Sequence, residues 1–138
     1  MGGLEAARVL GIETGGTAPR GWHTESGPQE TLLRSFGLTE CGAEGYPART
    51  RQNVIDSDGT LLVGPHESGG SKLTCDIARK LKKPLFLLDF PKNQSRVEEF
   101  KAWLEVSGIV TLNVAGNRES DNPGIAEFTR SFLISALP

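Results

Sequence analysis

The chain has 138 residues, 37% hydrophobic and 23% charged, with fifteen Lys and Arg against seventeen Asp and Glu for a net charge of −2. That length fits one domain, 1–138, with a core of its own, and the near balance of charge excludes bulk attraction to nucleic acid or to an anionic membrane. No apolar run approaches the roughly 20 residues that cross a bilayer and no secretory leader pattern is read at the start, so the expected compartment is the cytoplasm.

Leu4, Ala7 and Leu10 recur at helical spacing and Gly11 follows as a C-terminal cap, so a short amphipathic helix is expected first. Ile12 to Thr14 reads as a brief strand. Gly15 to Gln29, GGTAPRGWHTESGPQ, reads as a long loop, and loops of that length in compact domains often carry function. Arg20, Trp22 and His23 lie in it, a cation and two flat rings suited either to stacking on a charged heterocycle or, for Trp22, to pinning the loop to the core. Leu32 to Phe36 and Leu38 to Cys41 are short elements of open type. Tyr46-Pro47 begins a helix, with Pro at a first-turn position where its missing N–H costs nothing. Arg49 and Arg51 lie on it two residues apart, so at most one of them points into a given site.

Thr60 to Val63 is an apolar run behind an Asp-Gly turn, the pattern of a buried strand. Leu73, Ile77, Ala78 and Leu81 then mark a helix that Pro84 stops. Leu85 to Asp89 is a second apolar strand, suited to a parallel sheet covered on both faces. Ser95 to Glu98 has the form of a capping box, opening a helix with Val97, Phe100 and Leu104 inward and Gly108 at its end. Ile109 to Ala115 is the last strand. A polar loop, Gly116 to Gly124, leads to Asn122-Pro123 as the expected N-cap and first position of a helix faced by Ile125, Phe128, Phe132 and Leu133. From Thr60 onward the order is β-α-β-α-β-α with short joints, which implies an α/β fold, a mostly parallel sheet and right-handed crossovers.

Ligands in such sheets bind beyond the carboxyl ends of the strands. Two glycine-bearing loops leave that edge, Pro65 to Ser71 and Gly116 to Asn122, and each opens a helix whose first N–H groups can receive an anion. Arg118 adds a fixed positive charge suited to phosphate or carboxylate. The first loop is neither G-x-G-x-x-G nor a Walker A sequence, so the pattern points to anion binding without naming the ligand. His23 and His66 lack metal-ligand spacing, and Cys41 and Cys75 lack C-x-x-C spacing, so neither structural zinc nor a disulfide is expected. Cys75 falls in the first turns of the central helix, where a stabilised thiolate or plain packing are the two readings. Glu67 and Glu119 read either as a carboxylate pair across the edge or as solvated residues that help cap a helix.

The stretches GIETGGTAPRGW, YPARTRQNVIDSDGTLLV, GGSKLT and LNVAGNRES together resemble the molybdenum-cofactor carrier proteins, a YpsA-like branch of the SLOG superfamily that also holds the Lonely-Guy phosphoribohydrolases. The resemblance spans nearly the whole chain. It implies a Rossmann-like three-layer sandwich, a homo-oligomer, and a phosphorylated ligand at the carboxyl edge, the molybdenum cofactor (molybdopterin) for a carrier. By that resemblance the ligand site comprises Gly69, Gly70, Ser71 and Thr74 from the first loop and helix, and Asn113, Gly116, Arg118, Glu119 and Ser120 from the second; Arg20, Trp22 and Arg49 are further candidates from the residues themselves. Proteins of this type begin with a further strand and a G-G-Q-T-G-x-D-like loop. Here Met1-Gly2-Gly3 enters the first helix directly, which implies either a late start or a sheet lacking that strand, with an exposed or otherwise covered edge. The enzyme relatives resemble P-G-G-x-G-T-x-x-E, where this chain has Lys72 and Leu73 in place of Gly-Thr and Asp76 in place of Glu. A carrier therefore ranks above a nucleotide N-glycosidase. A nucleotide-sensing module is the remaining alternative.

Overall fold

The computed structural model describes all residues except 1, 19–21, 25–26, 41–45, 68, 91–95, 117–118 and 138, and only the backbone of 23, 46 and 47. The elements run α1 (Gly2–Leu10), β1 (Gly16–Ala18), β2 (His23–Thr24), β3 (Gly27–Pro28), α2 (Glu30–Ser35), β4 (Leu38–Glu40), α3 (Tyr46–Ile55), β5 (Gly59–Val63), α4 (Gly69–Lys80), β6 (Leu85–Leu88), α5 (Val97–Val106), β7 (Leu112–Gly116) and α6 (Ile125–Ala136).

The main sheet has the order β6-β5-β7, and both pairings are parallel. Every residue of β5 is buried, as its run of Thr60, Leu61, Leu62 and Val63 requires of a strand covered on both faces. Leu61 and Val63 join Phe86, Leu88, Phe100, Ile125, Phe132 and Leu133 in the larger core, beneath α1, α5 and α6. Val54, Ile77 and Ala78, with Leu73 and Leu85 against them, fill the opposite face beneath α3 and α4. The result is a Rossmann-like three-layer sandwich. Aromatic packing knits the first layer: the Phe86, Phe100 and Phe132 rings follow one another at 5.2 and 5.3 Å, and each such side chain contributes about 1.5–3 kcal/mol by its burial.

The smaller pieces sit on this frame. β1 and β4 form a parallel pair, and β2 and β3 an antiparallel one. Asn53 on α3 accepts from the Thr17 N–H at 2.8 Å and donates to the Thr17 carbonyl at 3.1 Å, so its amide serves that stretch of β1 as a neighbouring strand would. Arg8 of α1 lies 3.9 Å over the Phe36 ring and donates to Ser35, tying α1 to α2. β7 pairs with β5 alone among the described residues. α1 packs against its neighbours through Gly2 and Gly3: a Cβ on Gly2 would collide with the Ala126 carbonyl, and one on Gly3 would meet Val114 at 3.0 Å.

Several boundaries depart from the sequence pattern. The strand expected at 12–14 forms instead at Gly16–Ala18, and the expected long loop holds β1 and the β2–β3 pair. Leu32 to Phe36 lies largely in α2 and Leu38 to Cys41 in β4, with Cys41 outside the described residues. The buried face of α1 is Gly2 and Ala6 rather than the Leu4, Ala7 and Leu10 stripe. Leu81 falls beyond the end of α4 and is 37% exposed. The capping box rests partly on Ser95, outside the described residues; Arg96 stands at the N-cap without a side-chain cap bond, its guanidinium paired with Glu99 at 2.7 Å and lying 4.6 Å over Phe86. The last strand starts at Leu112 rather than at Ile109, because Asp58 holds the preceding turn. Its carboxylate accepts from the N–H groups of Val110 and Thr111 at 3.0 and 2.8 Å, while its own N–H donates to the Thr111 carbonyl at 2.8 Å.

The bonds from Thr111 and then Val110 hold the Asp58 carboxyl below its ordinary value. A depressed carboxyl contributes stability that is complete above its unfolded pKa and is lost as pH falls through the folded one. The urea midpoint of the wild type is therefore expected to drop on acidification below about pH 4. Asp58→Asn should lower the midpoint at neutral pH and flatten that acid slope. Equal acid slopes in the two proteins would show that Asp58 is not coupled to folding.

Candidate functional site

The geometry of the carboxyl edge follows from strand register. Val63, the last residue of β5, pairs with Gly116, the last of β7. The loops toward α4 and α6 therefore leave adjacent strands at one level, α4 on one face of the sheet and α6 on the other.

α4 opens with Gly69, at φ +64 in the left-handed region that glycine tolerates, followed by Gly70. Both are exposed, and among the described residues a Cβ built on either would meet nothing within 4 Å. Ser71 and Thr74 are buried on the inner side, and Thr74 donates its hydroxyl to the Gly70 carbonyl at 3.0 Å. The first turn of α4 carries no acidic residue, and its last turn carries Arg79 and Lys80. The positive end of its dipole thus faces the edge without a carboxylate of the same turn against it.

α6 is the opposite case. The expected Asn122-Pro123 start gives way to Ile125, with Gly124 at the N-cap in the left-handed region at φ +90 and no cap bond from its own side chain. The cap comes from Glu119. Its two carboxylate oxygens accept separately from the N–H groups of Gly124 and Ala126, the second at 3.0 Å. Glu127 adds a further acid in the first turn. Of the two readings the sequence offers for Glu119, the helix-capping one describes its position.

Gly69, Gly70, Ser71 and Thr74 lie in the first turns of α4 after β5, Gly116 ends β7 beside Val63, and Glu119 and Ser120 follow on the way to α6; Arg118 lies outside the described residues, as does Arg20. Asn113 stands three positions before the end of β7, opposite Thr60, and donates to the Thr60 hydroxyl at 3.2 Å, away from this group. Trp22 is 7% exposed and packed with Ala18 and Leu33, with Arg34 at 4.9 Å from its ring, a side chain that pins its loop. Arg49 is half-buried on α3. Asp76 is half exposed on α4 and paired with Lys72 at 2.7 Å, one turn away on the same helix. Burial pushes the Cys75 thiol up, with the Arg79 charge opposing, so Cys75 is a packed thiol rather than a stabilised thiolate. Among the described residues no cluster of three or more His, Cys, Asp or Glu side chains could hold a metal ion, and no helix is long and apolar enough to cross a membrane.

Sequence reasoning missed Asn53 and Lys83. The Lys83 ammonium donates to the carbonyls of Val54, Ile55 and Ser57 at 3.1, 2.5 and 2.6 Å and so closes the end of α3. Asn53 lies in the stretch YPARTRQNVIDSDGTLLV, but nothing in that pattern points to a bond with Thr17. The only signal for Lys83 is a basic residue just past a helix, which by pattern serves α4.

A parallel sheet between helix layers, with a glycine-led helix beginning at its carboxyl edge, defines a protein of the Rossmann-like class. More specifically, the chain matches, over residues 1–137, the model of the circularly permutated YpsA SLOG family, and it belongs to that family. Among solved structures it is similar to the "putative molybdenum carrier protein" of Syntrophus aciditrophicus SB, with a TM-score of 0.87 and 32% identity over 99% of this chain and 87% of that one. None of the curated proteins matches it.

The open space over α4 has a direct consequence for stability. Gly70→Ala should be accommodated and should leave the melting temperature unchanged or raise it, since Ala is favoured over Gly in helices by up to about 1 kcal/mol. A clear fall in thermal melting would show that the first turn of α4 is not open.

Proposed function

We infer that this protein binds and shields a phosphorylated small molecule at the carboxyl edge of its main sheet, and that the ligand is the molybdenum cofactor (molybdopterin), held as cargo by a cytoplasmic carrier. The observation that carries the reading is the N-terminus of α4, where Gly69 and Gly70 leave the backbone open and no first-turn acid opposes an anion. These groups fit a phosphate: backbone N–H groups approach it, the helix dipole favours its charge, and glycines keep side chains out of the way. Support for the ligand comes from the similarity to a protein named for molybdenum carriage.

In this reading the α4 amides take the phosphate, with the Ser71 and Thr74 hydroxyls beneath them. Gly116, Arg118, Glu119 and Ser120 furnish the second wall, with Arg118 as its cation. The pterin lies outward from the phosphate, with Arg20 and Arg49 as candidates to meet it. Asn113 and Trp22 act at a distance, by fixing β7 against β5 and the loop after β1. A homo-oligomer belongs to the same reading. An N-glycosidase reading is weaker because Asp76, which replaces the relatives' Glu, is engaged with Lys72.

Two measurements test this. Native mass spectrometry of protein purified from its own host should reveal a retained pterin; a retained nucleotide instead would favour the sensor. Titration with a pterin phosphate should show Arg118→Ala weakened by about tenfold to a hundredfold, the equivalent of a charge-assisted hydrogen bond of about 1.5–3 kcal/mol. Equal affinity in wild type and variant would remove the second loop from the site.

A further inference from the structure

The amino end of the main sheet, where α4, α5 and α6 finish, carries two surfaces that match each other. One is an apolar cavity of about 360 Å³ lined by Leu104, Ile109, Ala136 and Leu137, with the exposed Lys101 and Glu105 beside them. Lys101 lies 3.6 Å from Glu98, while the Glu105 carboxylate has no ion pair among the described residues. α5 holds Glu98, Glu99 and Glu105 against Lys101, so this wall is acidic. Val110, the residue after Ile109, is 91% exposed. The other surface is the turn that ends α4, where Leu81 is exposed between the exposed Lys80 and Lys82. Lys82 sits at φ +57, at the position that closes the helix: its N–H donates to the Arg79 carbonyl at 3.1 Å and the Lys83 N–H to the Ala78 carbonyl at 2.9 Å. α1 and α5 end on the same pair of bonds with Gly11 and Gly108 at that position. A lysine in the left-handed region is disfavoured beside glycine, and Arg79 and Lys80 already complement the helix dipole. Local folding therefore does not explain the lysine. The two surfaces are neighbours, since the Ile109 side chain and the Pro84 carbonyl lie 2.5 and 3.3 Å from where a Gly59 side chain would start.

We propose that this end joins two copies of the chain about a two-fold axis, each copy seating Leu81 in the cavity between Leu104, Ile109 and Leu137 of the other, with Lys80 and Lys82 against the other's Glu105. Two adjacent, complementary patches on one surface are what a two-fold contact needs: the first patch meets the second on the partner, and the second meets the first. The apolar part supplies the attraction, by taking Leu81 and the cavity wall out of water. The charges set the register, because the basic turn is drawn to the acidic wall and repelled by a second basic turn. Lys82 then has its reason, as a cation carried at the one point of α4 that faces the partner. The carboxyl edges of the two copies point away from each other in this arrangement, so the dimer leaves them accessible and the inference holds whatever they bind.

Sedimentation equilibrium of the full chain tests the proposal. Wild type should show a monomer–dimer equilibrium with a dissociation constant of about micromolar order, as a contact of modest size gives. Leu81→Asp should weaken it by at least about tenfold, by placing a charge in the apolar cavity. Glu105→Lys and Lys82→Glu should each weaken it by about tenfold, since each brings like charges together across the axis. Both positions are exposed and lack side-chain bonds among the described residues, so thermal melting should stay in place and these variants keep the test readable should Leu81→Asp lose stability. An equimolar mixture of Glu105→Lys and Lys82→Glu is the decisive sample. In that heterodimer every contact is again between opposite charges, and association should return to within about threefold of wild type. Contacts through any other surface do not predict that recovery. Wild type that stays monomeric up to about 200 µM, well above micromolar order, would overturn the proposal. So would a dimer that neither charge reversal weakens, or a mixture no tighter than its two components.

Discussion

The burial of β5 is the constraint on which the rest depends. A strand covered on both faces and paired along both edges has no water available to its backbone, so each N–H and C=O must find a partner in β6 or β7. That requirement fixes the register of both neighbours, and with it the height at which each strand ends. Thr60 is the one polar side chain in the strand's buried run, and its hydroxyl is met by Asn113 across the β7 pairing. Entry to β5 is held with equal care. Asp58 fixes the turn into β7 from one side, and Lys83 gathers the carbonyls at the end of α3 from the other. The loops at the far edge are side by side because these contacts leave the strands no freedom to slide.

The part of the fold that the sequence revealed is the part governed by this constraint. Continuous apolar runs at β5 and β6 and helical spacing in α4, α5 and α6 are strong signals, and the parallel order of the sheet follows from them. The resemblance to the YpsA-like SLOG proteins was carried by GGSKLT and LNVAGNRES in that half, by YPARTRQNVIDSDGTLLV leading into β5 and by GIETGGTAPRGW, and the family match agrees with it. Legibility failed where structure rests on a few distant bonds. β1, β2 and β3 are two or three residues long, too short for any periodicity, and Thr17 of β1 is bonded by an amide 36 positions away. The start of α6 was misplaced for a related reason. Asn122-Pro123 is a good local signal, but the carboxylate that caps the helix reaches from Glu119, and a capping role read for Glu119 does not by itself say at which residue the helix begins.

Within the edge, the glycines at the head of α4 were legible because their role is local: backbone freedom and absence of a side chain. Trp22 shows the limit of the same logic. A tryptophan in a glycine-rich loop has two uses, stacking on a ligand or anchoring the loop, and only its packing with Ala18 and Leu33 separates them. The sequence also paired Asn113 with the edge because it belongs to the stretch LNVAGNRES, yet a residue at the start of a five-residue strand and one at its end are separated by the strand's length, about 3.3 Å for each step.

The composition of α4 links packing to the open end of the helix. Its buried face is Ser71, Thr74, Cys75, Ile77 and Ala78, mostly small side chains. Small residues let a helix lie close to a sheet, and a helix that lies close presents its first turn at the strand ends rather than out in solvent. The hydroxyl of Thr74 is satisfied by the Gly70 carbonyl within the helix, so its burial costs little. Lys72 and Asp76 neutralise one another on the outer face, and an exposed pair of this kind adds roughly 0–1 kcal/mol. Charge on α4 is thereby left to its two ends: basic residues at the carbonyl end, and the positive end of the dipole, with no acid in the first turn, at the other. A helix with Glu at the head, as α6 has through Glu119, satisfies its own dipole. α4 carries no acid in its first turn, so the two helices complement their dipoles differently.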